Sequence, residues 1–269
     1  HDKIATGVAD SKFGFPVWTG DAARAVERAL AIPGVALDGF HAHIGSQLFD
    51  AHAYELTAET LVSLATEMRN RHGVEPDILS PGGGFGIAYQ EGDEDAALGE
   101  LAAVIGTTLR TACERAHLTL PELIVEPGRY IIGPAALALY RVGSRKAIPD
   151  VRTYVSVDGG MADNIRPALY GARYQAALAN RIGDGPVERV TIAGKYCESG
   201  DILIPDVNLP SLRRGDLLAM PAVGAYCLPM ASNYNLSPRP AVILVGDGHA
   251  RLIRRRETFD DVLAREILP

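Results

Sequence analysis

Three short segments of this 269-residue chain set small and polar residues directly after apolar runs: His41-Ala42-His43-Ile44-Gly45-Ser46-Gln47, Pro81-Gly82-Gly83-Gly84-Phe85-Gly86 and Glu126-Pro127-Gly128-Arg129. Successive glycines let a backbone approach an anion closely, and consecutive N–H groups at a helix start form a concave nest of donors. Gly82, Gly83 and Gly84 suit that task. A glycine triplet alone is equally a tight turn, but Ser46 and Gly128 close neighbouring runs in the same way, and three converging donors suit one phosphate. A second constellation follows downstream. It comprises the segment 158–171 with Arg166 and Tyr170, then Cys197-Glu198-Ser199-Gly200-Asp201, then Gly224-Ala225-Tyr226 leading to Ser232-Asn233-Tyr234-Asn235.

Arginine's planar fork matches a carboxylate, so Arg129 and Arg166 are candidates for holding the acid ends of a small molecule. Cys197 and Glu198 precede a turn-like Ser-Gly-Asp, where side chains can face a cleft; a buried structural cysteine is the commoner fate. Two histidines two apart on a strand project to one face, so His41 and His43 could instead bind a metal, with Asp77 or Glu126 completing the ligands. Cys113 sits among apolar neighbours at helical spacing and reads as core.

The elements that must position these residues follow from hydrophobic period. Residues 21–32, 51–71 and 96–117 have the amphipathic spacing of helices. Between them, 35–44, 77–80 and 123–126 read as buried parallel strands. Alternation at roughly forty residues per unit is the pattern of a (β/α) barrel or a doubly wound sheet, whose sites lie at strand C-termini. After Gly133 the pattern changes to strands at 135–147, 152–157, 187–193, 217–223 and 241–254, an all-β segment whose last pair turns at Gly246-Asp247-Gly248-His249. Thr258 offers an N-cap for a short terminal helix. The expected division is therefore 1–134, a partial (β/α) barrel, and 135–269, a β domain. Only three strands are clear before Gly133, four if residues 4–15 add one, whereas a closed barrel has eight in about 250 residues. The chain is thus expected to be the C-terminal portion of a longer protein.

Composition narrows the classes. An apolar content of 47% without a long apolar run fits a globular protein with no membrane span. The net charge of −7 disfavours nucleic-acid binding, and Arg254-Arg255-Arg256 reads as a solvated patch. Three cysteines in a chain of this size point to a reducing compartment, with the cytoplasm as the expected location.

In order and spacing, these motifs closely resemble diaminopimelate decarboxylases, pyridoxal-phosphate enzymes of the alanine-racemase fold type. The resemblance implies the C-terminal part of a (β/α)8 barrel followed by a β-sandwich or barrel-like domain, and a homodimer with shared active sites. It implies that His43 stacks on the pyridoxal 5'-phosphate ring and that Ser46, Gly83, Gly84, Gly128 and Tyr226 contact cofactor. Glu126 would partner the pyridine nitrogen. Arg129, Arg166, Tyr170, Glu198 and Tyr226 would bind substrate, and Cys197 would act with His43 in catalysis. The Schiff-base lysine is expected upstream, since Lys3, Lys12, Lys146 and Lys195 do not stand in its motif. The reaction implied is loss of CO2 from meso-2,6-diaminopimelate to give L-lysine. Ornithine, arginine, carboxynorspermidine or D-amino-acid decarboxylases share the cofactor site, and a metal-dependent barrel hydrolase stays open as a different class.

Overall fold

A computed structural model describes residues 11–181 and 186–267. The chain divides into two compact units: His1–Ala88 with Asp93–Ile131, and Tyr89–Gly92 with Ile132–Pro269.

In the first unit, strands β1 (Gly39–His41), β2 (Ile78–Gly83) and β3 (Glu122–Glu126) form a parallel sheet in that order. Helices α1 (Asp21–Leu30), α2 (Ala51–His72) and α3 (Leu98–Ala116) alternate with them, and a short α4 (Gly128–Ile132) follows β3. Helix α2 starts where the Asp50 side chain accepts from His52 N–H at 2.9 Å and ends at Gly73 in the left-handed conformation. Its buried stripe, Tyr54, Ala58, Leu61, Ala65 and Met68, recurs every three or four residues and packs into two apolar clusters. Burying a Leu61 or a Met68 contributes about 1.5–3 kcal/mol each.

The expected strand at 35–44 is shorter than its apolar run, because the chain leaving the Pro33-Gly34 turn pairs with β2 only from Gly39. A further strand at 4–15 falls mostly outside the described residues, and 11–15 hold no strand.

The second unit carries a six-stranded mixed sheet in the order β6-β9-β4-β5-β7-β8. These are β4 (Ala138–Ile148), β5 (Arg152–Val157), β6 (Ala177–Leu178), β7 (Val187–Ala193), β8 (Ile202–Pro210) and β9 (Leu217–Met220). A separate antiparallel hairpin, β10 (Val242–Gly246) and β11 (His249–Arg254), precedes α6 (Phe259–Leu263), whose Thr258 cap completes a capping box with Asp261.

Two departures from the all-β expectation matter. Strand β8 is not among the expected strands; the sheet tolerates its Pro205 and Pro210 because β8 is an edge and, among the described residues, pairs only with β7. A one-turn helix, α5 (Arg166–Tyr170), interrupts the β pattern, started by Pro167 and stopped by Gly171 in the left-handed conformation. The expected architecture, part of a (β/α) barrel followed by a β domain, is the one observed.

Candidate active site

Because β1, β2 and β3 are parallel, the loops after them gather at one end of the sheet. A one-residue bulge between Leu79 and Gly82 in β2 shifts the register, after which Gly82 and Gly83 pair with Val125 and Glu126 of β3. The glycines are needed first for packing. A side chain at Gly83 would put its Cβ 1.9 Å from the Glu126 carbonyl oxygen, and one at Gly82, where φ is +77°, would lie 2.5 Å from that of Ala42. The Gly82 N–H is turned to Ser80 Oγ at 3.2 Å, and the Gly83 N–H to His43 Nδ1 at 3.3 Å. These two N–H groups are thus directed at Ser80 in β2 and at His43 in the loop after β1. An accepting Nδ1 places the His43 ring proton on Nε2.

Ser46 and Arg129 meet directly. The buried Arg129 guanidinium donates through Nη2 and Nε to Ser46 Oγ at 2.7 and 3.3 Å. The sequence assigned these two residues to different ligands, substrate for Arg129 and phosphate for Ser46. The structure joins them because α4 begins at Gly128, one residue past β3 and its Pro127, and brings Arg129 against the loop after β1. Gln47 clamps that loop to the next: its Nε2 donates to Ile87 O at 2.6 Å and its Oε1 accepts from Ile87 N–H at 3.2 Å. Tyr54 donates to Gly83 O at 3.0 Å, and burial pushes its phenol up to about 12. Neither Gln47 nor Tyr54 carried a signal beyond its place in a loop or an apolar stripe.

Glu126 ends β3 and accepts from, or pairs with, His41 Nε2 through Oε2 at 3.1 Å, both side chains being half exposed. His41, left without a role by the sequence, is thereby the neighbour that orients Glu126. The metal alternative required His41 and His43 with a further ligand, and among the described residues no group of three or more His, Cys, Asp or Glu side chains could hold an ion.

In the second unit, Arg166 opens α5 and is buried, with its guanidinium over the rings of Tyr89 and Tyr174 at 5.0 and 5.7 Å from their centres. It also donates to Tyr174 Oη, which lies 3.5 Å from Cys227 Sγ. Burial pushes the Tyr174 phenol well above its ordinary value, so it remains a neutral partner. Among the described residues no carboxylate pairs with Arg166. Neither tyrosine was visible in the sequence: Tyr174 lies in an irregular stretch, and Tyr89 is far away in the chain. Tyr170 closes α5 and is partly buried, while Tyr226 is exposed and sits at a φ of 62°.

Cys197 and Glu198 are both exposed, just after β7. Beneath them the buried Asp201 accepts from Met161 N–H at 2.7 Å and Tyr196 N–H at 2.8 Å, binding the 158–164 loop to the Cys-Glu segment. Its burial pushes its carboxyl up. Cys113, by contrast, is core.

The pyridoxal-dependent decarboxylase family matches twice, through its pyridoxal binding domain over residues 1–133 and its C-terminal sheet domain over residues 129–224. The chain belongs to the pyridoxal-dependent decarboxylases. Within that family it is 46% identical over 263 residues to the diaminopimelate decarboxylase of Halalkalibacterium halodurans, covering 98% of this chain and 60% of the relative. It is 48% identical to that of Bacillus subtilis, covering 99% of this chain and 61% of the relative. Diaminopimelate decarboxylase from M. jannaschii in complex with L-lysine superposes with a TM-score of 0.92 at 36% identity, covering 100% of this chain and 61% of that one. The chain therefore spans about three fifths of the length of these relatives.

The cofactor of a pyridoxal-dependent decarboxylase is pyridoxal phosphate, and the first unit's donor set fits it. The buried Arg129 guanidinium and the Ser46 hydroxyl make a cationic pair of donors for a phosphate. Gly128 opens onto space that a Cβ would not obstruct. Glu126 engages His41 through one oxygen, while the other has no partner among the described residues and can accept from a protonated ring nitrogen.

Proposed function

We propose that the protein carrying this chain decarboxylates meso-2,6-diaminopimelate to L-lysine, using pyridoxal phosphate. When bound, the cofactor supplies an electron sink that weakens the bond to the departing carboxylate. The first unit contributes the cofactor's protein partners: Ser46 and Arg129 for an anionic end, Glu126 for the ring nitrogen, and His43 for a ring face. His41 fixes the orientation of Glu126 by holding one of its oxygens.

The second unit contributes recognition and proton delivery. The observation that carries the substrate assignment is Arg166, a buried guanidinium stacked on Tyr89 and Tyr174 with no carboxylate partner among the described residues. A buried charge left unpaired is costly, and a carboxylate ligand would compensate it. A substrate whose distal end carries both an amine and a carboxylate gives Glu198 and Arg166 a partner each, whereas a plain distal amine leaves Arg166 unpaired. In the reaction the carbon–carboxylate bond breaks and CO2 leaves. The Cys197 Sγ–H then gives its proton to the carbon that lost CO2, and the sulfur is reprotonated from solvent.

Cys197 and Glu198 lie in the β unit and are exposed, which supports a homodimer in which this pair serves the site of the other subunit. Three free cysteines fit a reducing, cytoplasmic setting. The test is direct: the whole gene product, loaded with pyridoxal phosphate, is given diaminopimelate, ornithine or L-lysine, and CO2 and amine products are measured. Release of CO2 and lysine from diaminopimelate alone is expected. Preferential turnover of ornithine or lysine would overturn the substrate assignment, and sedimentation showing a fully active monomer would overturn the shared site.

A further inference from the structure

The Ser232-Asn233-Tyr234-Asn235 segment stands out in the sequence and has no part in the reaction described above. In the structure its last two residues reach Cys197 and Glu198 one for one. Tyr234 Oη donates to Glu198 Oε1, and Asn235 Nδ2 donates to Cys197 Sγ at 3.5 Å. We propose that this segment is the positioning device of the Cys197–Glu198 pair, with Asn235 holding the sulfur and Tyr234 holding the carboxylate.

The inference rests on the function proposed above for the two held residues, but its geometry is independent of it. The segment is itself fastened at three points. Ser232 N–H donates to Ala162 O at 2.9 Å, on the loop that Asp201 ties to the Cys-Glu segment. Asn233 Nδ2 donates to Ser237 O at 3.0 Å and to Glu257 Oε2 at 2.6 Å, and Glu257 in turn holds Arg239. The Tyr234 ring packs edge-on against Tyr196, the residue before Cys197, with centres 5.5 Å apart. Asn235 is in the left-handed region at φ 51°, ψ 35°, which a turn of 3-10 type would not otherwise contain. Asparagine enters that region more readily than most residues, and there its amide faces the sulfur. The bond to Glu198 holds the Tyr234 phenol up at about 12, so it stays a donor across the working pH range. Exposed side chains such as Cys197 and Glu198 have many rotamers, and a fixed donor on each selects one. That is how a supporting residue sets the geometry of a reacting one.

The test uses the whole gene product loaded with pyridoxal phosphate. Asn235→Gly keeps the left-handed backbone without strain and removes only the amide, so folding is preserved. Tyr234→Phe keeps the ring contact with Tyr196 and removes only the hydroxyl. Asn235→Gly is expected to lower kcat about threefold to tenfold with KM little changed, and Tyr234→Phe to raise KM for diaminopimelate about tenfold with kcat little changed. In double-mutant cycles Asn235 couples to Cys197 and Tyr234 couples to Glu198, while the crossed pairs add.

A second readout needs no turnover. Iodoacetamide alkylation of Cys197, the exposed thiol, is expected to slow about threefold in Asn235→Gly and to be unchanged in Tyr234→Phe. Equal loss of kcat and KM in both variants, additive cycles throughout, or unchanged alkylation in Asn235→Gly would overturn the positioning role. Failure of the wild type to act on diaminopimelate, with the alkylation pattern intact, would instead count against the substrate and leave the positioning in place.

Discussion

Arg166→Met separates a guanidinium kept for a ligand from one kept for the fold. Desolvating a lone charge costs several kcal/mol, against which two desolvated ring contacts return about 1–2 kcal/mol each and the bond to Tyr174 about 1.5–3 kcal/mol. These terms nearly cancel, leaving Arg166 within about 1–2 kcal/mol of neutral for stability. Methionine fills much of the same stem volume and packs well against aromatic rings. The melting temperature of the methionine variant is therefore expected within about 8 °C of wild type, since 1 kcal/mol moves a domain of this size by about 2–4 °C. Activity behaves differently: a substrate carboxylate that loses its guanidinium forfeits about 1.5–3 kcal/mol, or about tenfold to a hundredfold in kcat/KM. Calorimetry and steady-state assays on the same preparation read both quantities. A fall in melting temperature of more than about 8 °C with kcat/KM unchanged would refute the reasoning and make Arg166 a structural cation.

Asp216→Asn is expected to cost about 2 kcal/mol at pH 7, because the Arg181 guanidinium and neighbouring donors hold the Asp216 carboxyl down at about 2. A depressed carboxyl stabilises the fold above its unfolded pKa, so the difference between wild type and variant should close as pH falls from about 4 to about 2. Denaturant melts at pH 7 and pH 3 check this, and a gap independent of pH would contradict it. Gly83→Ala drives a methyl into the Glu126 carbonyl and should lower both the melting temperature and pyridoxal-phosphate affinity; a variant that titrates like wild type would show that the strand ends can part. Cys197→Ala should reduce kcat by about a hundredfold or more while leaving cofactor affinity within about twofold. Equal losses in both would mean the thiol is structural.

Some elements were legible because periodicity and burial coincide. Helices α1 to α3 and strands β3, β5 and β7 lie within a few residues of their apolar patterns, and the Cys113 spacing marked a core face. Others were hidden where tertiary context overrides local chemistry. Pro205 argues against a strand unless one knows that β8 will be an edge, and Arg166-Pro167 argues for a helix start only once Gly171 is recognised as its stop. The candidate site was readable as a set of motifs but not as pairs. Nothing in the spacing between Ser46 and Arg129, or between His41 and Glu126, says that they touch, because parallel strand ends bring together residues more than eighty positions apart. Tyr89 and Tyr174 were missed for the same reason, as aromatic partners set by packing and not by any period.

Residues Tyr89–Gly92 belong to the β unit although the chain on both sides of them belongs to the other. No single cut therefore divides this chain into its two units. A recombinant fragment beginning at Ile132 would match the apparent boundary yet arrive without Tyr89, one of the two rings under Arg166. The sheet strands could all form, but the guanidinium would lose one face of its enclosure. Dissection of the two units needs a linker graft that carries residues 89–92 along with the C-terminal part, and a simple truncation would give a folded domain with a damaged pocket.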